Sequence, residues 1–206
     1  MSTLRNENAD VMVKVVEIIH SAFNNRILLK SFEQLRFLLF GGVFVLCFSY
    51  VKPSLVHFLL GFSVSVMGEA IQLWSFSCLR KNSILATRGP YALTRNPMYL
   101  GRFFLLLGLL VLFENLWLIF AYMIGYFFYM VNRVKREEGV LRNIFGNEYE
   151  QYCAKVNRFM PSFRGVSLRS LSGFRTKWLI KNNGHLNALL IVLVYAVFYF
   201  EAFILD

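Results

Sequence analysis

The chain has 206 residues, of which 57% are hydrophobic and 17% charged, and its formal net charge is +10. This apolar share exceeds that of a typical soluble domain and favours an integral membrane protein. The three cysteines are far apart in the sequence and the histidines number only three, which argues against a disulfide framework and against a histidine-rich metal centre.

The first 35 residues form an arm with charges throughout and without the apolar core of a signal peptide. Apolar residues recur at helical spacing from Val11 to Phe23, with Lys14, Glu17 and His20 between them. This pattern fits an amphipathic helix on the inner membrane surface, and equally a soluble helix packed on cytoplasmic loops. The sequence leaves that choice open.

Five apolar segments predict an all-α polytopic protein with about five transmembrane helices. The first, third and fourth segments are shorter than the roughly 20 residues of a usual span, so we expect tilt or local thinning of the bilayer. In chain order the segments are approximately Phe37 to Val51, Leu55 to Trp74, Met98 to Phe113, Leu116 to Val131 and Leu186 to Phe203.

Only Glu114 and Asn115 separate the third and fourth segments. One straight helix through both would be about 50 Å long, whereas a hydrocarbon core is about 30 Å thick. The chain is therefore expected to turn at these two residues. Because the two legs are nearly equal, a tight antiparallel hairpin returns Glu137 to the membrane face that Pro97 left.

Two turn signals precede this hairpin. In Gly89-Pro90, glycine permits unusual backbone angles and proline fixes its own φ angle, which favours a turn. In Asn96-Pro97, asparagine is a good N-cap and proline suits the first turn of a helix. We expect the third span to begin at Asn96-Pro97 and to present the partial positive charge of its N-terminus to the cytoplasmic surface. Each signal taken alone is also explained by one helix ending and the next beginning.

Arg133 precedes Glu137 by four residues, where the hairpin leaves the membrane. A plain surface ion pair at this spacing would contribute only about 0.3–0.5 kcal/mol. Alternatively, a carboxylate beside an apolar groove holds ribose hydroxyls or an ammonium group, and the arginine receives a substrate carboxylate.

The predicted topology places basic residues almost entirely on one membrane face. Of the 22 Lys and Arg residues, only Lys52 falls on the other side. The positive-inside rule then gives a cytoplasmic N-terminus and a non-cytoplasmic C-terminus.

Residues 151–200 contain no Asp or Glu but many cations. Each cation near anionic lipid contributes about 1 kcal/mol of attraction, so contact with anionic headgroups is the simplest interpretation. Nucleic-acid binding is disfavoured because the run adjoins a membrane span and lacks a recognition module. Residues 164–185 are interpreted as a basic linker to a C-terminal transmembrane helix in residues 186–206. The cations are Lys155, Arg158, Arg164, Arg169, Arg175, Lys177 and Lys181.

Four groups of residues carry a resemblance to known enzymes. In order and spacing they resemble the isoprenylcysteine carboxyl methyltransferase and phospholipid N-methyltransferase group of integral membrane enzymes, over about residues 65 to 163. The groups are Gly89-Pro-Tyr91, Arg95-Asn-Pro-Met-Tyr99-Leu-Gly101, Glu137-Glu138, and Phe145-Gly-Asn-Glu-Tyr149-x-x-Tyr152 ending at Phe159-Met-Pro161. Family members usually read Arg-His-Pro where this chain has Arg95-Asn96-Pro97, which removes any role for an imidazole at that position.

The resemblance implies a methyltransferase core in residues 36–163 that binds S-adenosylmethionine near the cytosolic face. The expected substrate is a lipid, a lipidated molecule or another hydrophobic membrane compound with a carboxylate, amine or similar acceptor. Arg133 is the candidate catalytic residue at the substrate end. The positions that match cofactor-contacting stretches of the family are Ser83, Ile84, Leu85, Ala86, Tyr91, Asn96, Pro97, Met98, Tyr99, Glu137 and Glu138.

Glu69 lies deep within the second span, where a carboxylate is costly and often functional. It would serve an amine acceptor, which must lose a proton before methylation. The structural alternative is a hydrogen bond to Gln72, to Ser65 or to a neighbouring helix.

Two further hypotheses remain open. A membrane reductase of the sterol-reductase type has a similar fold and uses a nicotinamide cofactor. The other hypothesis is a catalytically silent protein that keeps the fold. The main argument for it is Asn96, which replaces the usual histidine of the family.

Overall fold

A computed structural model describes residues 14–17, 21, 51–80, 83–163 and 166–204. Within these ranges the chain is helical and contains no strand, which confirms the all-α prediction. Most of the N-terminal arm and of the first predicted span lies outside the described residues. The helices are α1 Leu55–Cys78, α2 Pro97–Val111, α3 Leu116–Phe145, α4 Asn147–Lys155, α5 Leu168–Leu171, α6 Thr176–Lys181 and α7 Gly184–Phe203, with a 3-10 turn at Gly89–Ala92.

Three of the described helices, α1, α3 and α7, are long and apolar enough to cross a membrane. Helix α2 is apolar but has only 15 residues, or about 22 Å at 1.5 Å per residue, so it is as short as predicted. Helix α3 has 30 residues and continues as a charged helix beyond the predicted end at Val131. That continuation carries Arg133, Glu137 and Glu138.

Helices α1 and α2 approach closely because glycines face each other. A Cβ on Gly61 would lie 2.5 Å from the Gly108 carbonyl oxygen, and a Cβ on Gly101 would lie 2.7 Å from the Gly68 carbonyl oxygen. Ser65 also donates a 2.8 Å hydrogen bond to a carbonyl of α2. Small residues at such a contact allow the backbones to pack tightly within a membrane.

Helix α7 packs on α1 through both polar and apolar contacts. Ser65 and Tyr195 share a hydrogen bond of 2.7 Å, and Asn187 donates one of 2.6 Å to Glu69. These buried polar contacts fix how α7 sits against α1. The apolar core beside them contains Phe58, Leu105, Leu112, Ile191, Tyr195 and Phe198.

The hairpin turn lies where the sequence predicts it. Helix α2 ends at Val111, Glu114 takes a positive φ of 53°, and α3 begins after Asn115. The Asn115 side chain accepts hydrogen bonds from the backbone N–H groups of Trp117 at 3.0 Å and Leu118 at 3.2 Å. Glu114 and Asn115 therefore make the reversal together.

Tyrosines of α3 hold the two legs of the hairpin together. The Tyr122 hydroxyl donates to the Phe103 carbonyl at 2.9 Å, and the Tyr126 hydroxyl donates to the Tyr99 carbonyl at 2.7 Å. The end of α3 consequently returns to the beginning of α2, which confirms the predicted antiparallel hairpin.

Candidate functional site

The connector between α1 and α2 is folded against the end of α1. Gly89 has a φ of 64°, and a Cβ there would lie 2.5 Å from the Cys78 sulfur. Only glycine fits both this backbone conformation and this space. The turn directs Tyr91 and the residues after it toward the start of α2.

The start of α2 matches the prediction in position but not in the role of its N-cap side chain. The helix begins at Pro97, and the Asn96 side chain makes no capping hydrogen bond. The Asn96 amide instead donates to the Arg158 carbonyl at 3.1 Å. Asn96 thus ties the start of α2 to the segment after α4.

Further hydrogen bonds join the connector to that later segment. The Tyr152 hydroxyl donates to the Tyr91 carbonyl at 2.7 Å, and the Arg95 N–H donates to the Asn157 carbonyl at 2.8 Å. The chain after α4 therefore contacts the connector at the end of the hairpin that carries Pro97 and Glu137.

Glu137 lies between Tyr99 and Arg133. The Tyr99 hydroxyl donates to Glu137 Oε1 at 2.8 Å, and Arg133 Nε donates to the same oxygen at 3.0 Å. The arginine and glutamate side chains are 45% and 44% exposed, so their ion pair alone contributes little to stability. Tyr99 is buried, and its hydrogen bond holds the carboxylate against the start of α2.

A cavity of about 340 Å³ adjoins this carboxylate, and we call it the Glu137 cavity. Its volume falls within the range of roughly 300–1,000 Å³ that is typical of small-molecule sites. Tyr91, the stretch from Asn96 to Tyr99, and Glu137 were all predicted and all line it. The complete lining is Leu79, Tyr91, Arg95, Asn96, Pro97, Met98, Tyr99, Glu137, Val140 and Leu141.

Two polar atoms of the cavity residues are buried without a hydrogen-bond partner in the described part of the chain. They are the Tyr91 hydroxyl and Arg95 Nε. Burial raises the pKa of Tyr91, so this hydroxyl stays protonated at neutral pH and remains a donor. Buried polar groups are rarely left unpaired, so this wall is suited to a polar ligand.

Glu138 does not line the Glu137 cavity and instead pairs with Arg95 and Arg158. Its side chain is 1% exposed and lies 2.5 Å from Arg158 Nη2 and 3.4 Å from Arg95 Nη1. Burial alone would lower the pKa of Arg95 because it disfavours the charged form. The nearby Glu138 carboxylate favours the charged form, and the pKa of Arg95 is raised overall. Glu138 thereby fixes one cavity residue, Arg95, while direct contact of Glu138 with a cofactor stays a prediction.

The predicted stretch Ser83 to Ala86 lies outside the Glu137 cavity lining. Ile84, Leu85 and Ala86 line a separate cavity beside the end of α1. Leu85 is also buried in a cluster with Tyr149 and Tyr152. The cofactor role of this stretch stays a prediction.

Sequence reasoning missed Leu79, Arg95, Val140 and Leu141 as cavity residues. Val140 and Leu141 follow Glu137 by three and four positions and so share its helix face, a signal that was present in the sequence. Leu79 gave no comparable signal, because helical periodicity does not reveal which connector residue meets α3.

An apolar groove of about 250 Å³ lies between α2 and α3. Asn96 lines both this groove and the Glu137 cavity. Met123 and Phe127 of α3 are about half exposed along it, at 48% and 54%, and α3 is apolar enough to cross a membrane. The groove is lined by Asn96, Leu100, Phe103, Met123, Tyr126, Phe127, Met130, Phe159 and Met160.

Glu69 is bound by a neighbouring helix. Its side chain is buried, and Oε2 accepts the 2.6 Å hydrogen bond from Asn187. The predicted hydrogen bond to a neighbouring helix is present, whereas Oε1 is buried without a hydrogen-bond partner in the described part of the chain. The role of Glu69 toward an amine acceptor stays a prediction. Glu69 does not line the Glu137 cavity.

The elements around the Glu137 cavity coincide with a match to a known protein family. Residues 56–148, from α1 through the charged end of α3, match the phospholipid methyltransferase family model. The predicted resemblance is confirmed for this segment. The match supports an enzyme of the membrane methyltransferase class. Comparison with curated proteins gave no match, and comparison with solved structures gave none either.

Proposed function

We propose that this protein transfers a methyl group from S-adenosylmethionine to a lipid or another hydrophobic membrane substrate. The observation that carries the proposal is that the Glu137 cavity, which contains the Glu137 carboxylate and the Arg95 side chain, meets the apolar groove at Asn96. Such a junction suits a reaction between a polar cofactor and a membrane compound. The phospholipid methyltransferase match over residues 56–148 supports the same chemistry.

The residues of the Glu137 cavity fit the polar groups of S-adenosylmethionine. Glu137 would accept hydrogen bonds from ribose hydroxyls or from the ammonium group. Tyr91 and Arg95, whose buried polar atoms lack partners in the described chain, would donate to the cofactor carboxylate. Leu79, Val140 and Leu141 supply an apolar wall beside these groups.

S-adenosylmethionine, when bound, supplies a methyl group that is activated by its attachment to a positively charged sulfur. The side chains then have to position the acceptor and exclude water, which are the main sources of acceleration for such a displacement. Asn96 has no acid–base function, and its amide is engaged by the Arg158 carbonyl. We assign Asn96 the role of shaping the opening between cavity and groove.

The apolar groove would hold the hydrophobic part of the substrate. Met130 lines it, and Arg133 follows Met130 by one helical turn, so Arg133 lies between the groove and Glu137. Arg133 would receive a negatively charged group of the substrate. A carboxylate acceptor needs no base, whereas an amine acceptor would first have to lose its proton.

We propose that the face bearing the Glu137 cavity is cytoplasmic, with the N-terminus on the same side and the C-terminus across the membrane. In support, Arg80 and Arg88 lie in the connector before α2 and Arg133, Lys135, Arg136 and Arg142 lie on the end of α3 that returns to it, whereas Lys52 lies at the other end of α1. The positive-inside rule supports this orientation.

Calorimetry and thermal unfolding of the purified full-length protein test cofactor binding. We expect S-adenosylmethionine or its demethylated product to bind, and saturation at 100 times the dissociation constant to stabilise the fold by about 2.7 kcal/mol. No heat and no thermal shift at millimolar cofactor, with folded protein, would contradict the methyltransferase proposal. Binding of a nicotinamide cofactor instead would favour the reductase.

Mass spectrometry of membrane lipids and hydrophobic metabolites tests the transfer itself. We expect a compound that gains the mass of one methylene when the active protein is present, and not when Glu137→Gln replaces it. Cofactor binding without any methylated product would favour a catalytically silent member of the fold.

A further inference from the structure

A separate polar cavity lies at the cytosolic end of α1, and it is lined by two arginines of the connector and by one from the segment before α6. Its volume is about 300 Å³. Arg80 follows α1, Arg88 precedes the 3-10 turn, and Arg175 precedes α6. We call it the arginine cavity.

Within the described residues, no carboxylate neutralises these arginines. The described lining of the arginine cavity contains no Asp or Glu, and none of its three arginines forms an ion pair within the described part of the chain. The sequence gives the reason, because residues 70–113 and 151–200, which supply the lining, contain no acidic residue. Three unneutralised guanidinium groups at one cavity favour an anion with several oxygens.

Packing contacts involve two of the three arginines, Arg80 and Arg88. The Arg80 guanidinium lies 5.1 Å from the centre of the Trp178 ring, within the range of a cation–π contact. A Cβ added to Gly173 would lie 3.6 Å from Arg88 Cβ, so the chain leading to Arg175 passes directly beside Arg88. The arginine cavity is thus built from packed segments.

The carbonyl end of α1 also points toward this region and would by itself repel an anion. Asn182 offsets this effect, since its amide donates to the carbonyls of Phe76 and Leu79 at 2.9 Å each. The arginines therefore dominate the charge that a ligand meets.

The location indicates that the anion belongs to a lipid. Helix α6 precedes the membrane helix α7, and Phe174 and Ile180 on either side of Trp178 are 56% and 54% exposed. Exposed apolar residues next to a tryptophan and cations are typical of a segment at the membrane interface. We infer that the arginine cavity binds the phosphate headgroup of an anionic phospholipid from the cytosolic leaflet, at a site separate from the Glu137 cavity. Ile84, Leu85 and Ala86, which line the arginine cavity, would then contact this lipid and not the cofactor. This inference does not depend on the proposed methyl transfer.

The test compares two double variants that remove the same charge from the same face. Arg88→Gln with Arg175→Gln alters the arginine cavity, whereas Arg169→Gln with Lys177→Gln alters exposed cations outside its lining. Full-length protein is placed in phosphatidylcholine nanodiscs with increasing phosphatidylglycerol, and thermal stabilisation and lipid retention by native mass spectrometry are measured. As a folding control, both double variants must unfold at the same temperature in phosphatidylcholine alone. If the Arg88→Gln, Arg175→Gln variant unfolds at a lower temperature, the single variants Arg88→Gln and Lys177→Gln are compared in its place.

We expect the cavity variant to need about tenfold more phosphatidylglycerol than the wild type for equal stabilisation, because charge-assisted hydrogen bonds are lost. The matched variant should shift by less than about twofold, as expected for exposed charges. Equal losses in both variants would indicate diffuse attraction and overturn the inference. So would stabilisation by millimolar inorganic phosphate that competes with the lipid, since the ligand would then be a soluble phosphate.

Calorimetry with S-adenosylmethionine separates this inference from the proposed function. We expect both double variants to bind the cofactor as the wild type does. Loss of cofactor binding in the cavity variant alone would show that the arginine cavity belongs to the cofactor site, and would overturn the lipid inference. Failure of the wild type to bind the cofactor would contradict the proposed function but leave the lipid result intact.

Discussion

The Tyr99 hydroxyl donates a 2.8 Å hydrogen bond to Glu137 Oε1 across 38 positions of sequence. Tyr99 lies in the first turn of α2, and Glu137 lies on the charged end of α3. This bond joins the two ends of the hairpin where the Glu137 cavity opens. It also combines a buried donor with a carboxylate that is only partly buried, which leaves the carboxylate accessible to a ligand.

Replacing Glu137 with Gln should weaken the binding of S-adenosylmethionine by roughly 1.5–3 kcal/mol, tenfold or more, because charge-assisted hydrogen bonds to the cofactor would be lost. Calorimetry on the purified variant measures this effect. Glu150→Gln is the matched control, since Glu150 pairs with Arg142 on the exposed surface at 2.7 Å. Its cofactor affinity should equal that of the wild type.

Replacing Tyr99 with Phe should weaken cofactor binding by about 0.5–1.5 kcal/mol, because the carboxylate loses the neutral donor that orients it. The same calorimetric titration measures it. Unchanged affinity in Tyr99→Phe, Glu137→Gln and Glu138→Gln together would show that the hairpin closes without building a binding site, and the silent-fold hypothesis would then be preferred.

Replacing Glu138 with Gln should mainly reduce stability. Its carboxylate is buried between Arg95 and Arg158, and removing one partner of a buried ion pair costs about 3–5 kcal/mol. We expect the low end, about 3 kcal/mol, because the Arg158 side chain is 38% exposed and is screened by solvent. Chemical denaturation in detergent measures the loss. A smaller loss of stability in Glu138→Gln than in Glu137→Gln would contradict the structural role of Glu138.

The hairpin and the return of Glu137 to the membrane face of Pro97 were predictable because segment length and membrane thickness determine them. Two short apolar legs separated by Glu114 and Asn115 have one plausible arrangement in a bilayer, and equal legs bring their outer ends together. The same reasoning located the start of α2 at Pro97. These predictions rest on local sequence and on one external dimension.

The partners of Glu138 and the position of Ser83 to Ala86 were not predictable in the same way. The contact between Glu138 and Arg158 depends on how the chain after α4 folds back, and no periodicity encodes that path. Leu85 was assigned by resemblance to the cofactor site, whereas its burial against Tyr149 and Tyr152 follows from the same fold-back. Contacts between residues that are distant in sequence determine both the partners of Glu138 and the burial of Leu85.

Adding a methyl group at Gly68 should destabilise the protein. A Cβ there would lie 2.6 Å from the Gly101 carbonyl oxygen, so α1 and α2 would have to separate, and overpacking typically costs about 1–3 kcal/mol. Gly125→Ala is the control, because a Cβ at Gly125 meets nothing within 4 Å and should be neutral or slightly stabilising. Thermal unfolding in detergent compares Gly68→Ala with Gly125→Ala. Equal unfolding temperatures would show that the helices do not require this close contact.

The hydrogen bond between Ser54 and Glu114 should make the stability of the folded protein depend on pH in the acid range. The Ser54 backbone N–H donates to the Glu114 carboxylate at 2.6 Å, and this hydrogen bond lowers the pKa of Glu114. A carboxyl with a lowered pKa in the folded state contributes stability above its unfolded pKa of about 4.3, and that stability is lost as pH falls through the lower folded value.

Unfolding temperatures measured between neutral pH and about pH 3 in wild type and Glu114→Gln test this dependence, since the acid range spans the unfolded pKa of about 4.3. The variant keeps an acceptor for Ser54 but cannot titrate, so we expect a smaller decline with acid than in the wild type. Parallel declines would show that other carboxylates account for the acid sensitivity.

A reporter fused after Asp206 should score as non-cytoplasmic, and one fused after Pro161 should score as cytoplasmic. The expectation follows from the basic residues gathered at the face that contains the Glu137 cavity and from the length and apolar composition of α7, which suit it to cross the membrane. Paired fusions to an enzyme active only inside the cell and to one active only outside it provide the measurement. A cytoplasmic score at both positions would mean that α7 does not cross the bilayer. A non-cytoplasmic score at Pro161 would invert the proposed orientation and place the Glu137 cavity away from cytosolic S-adenosylmethionine.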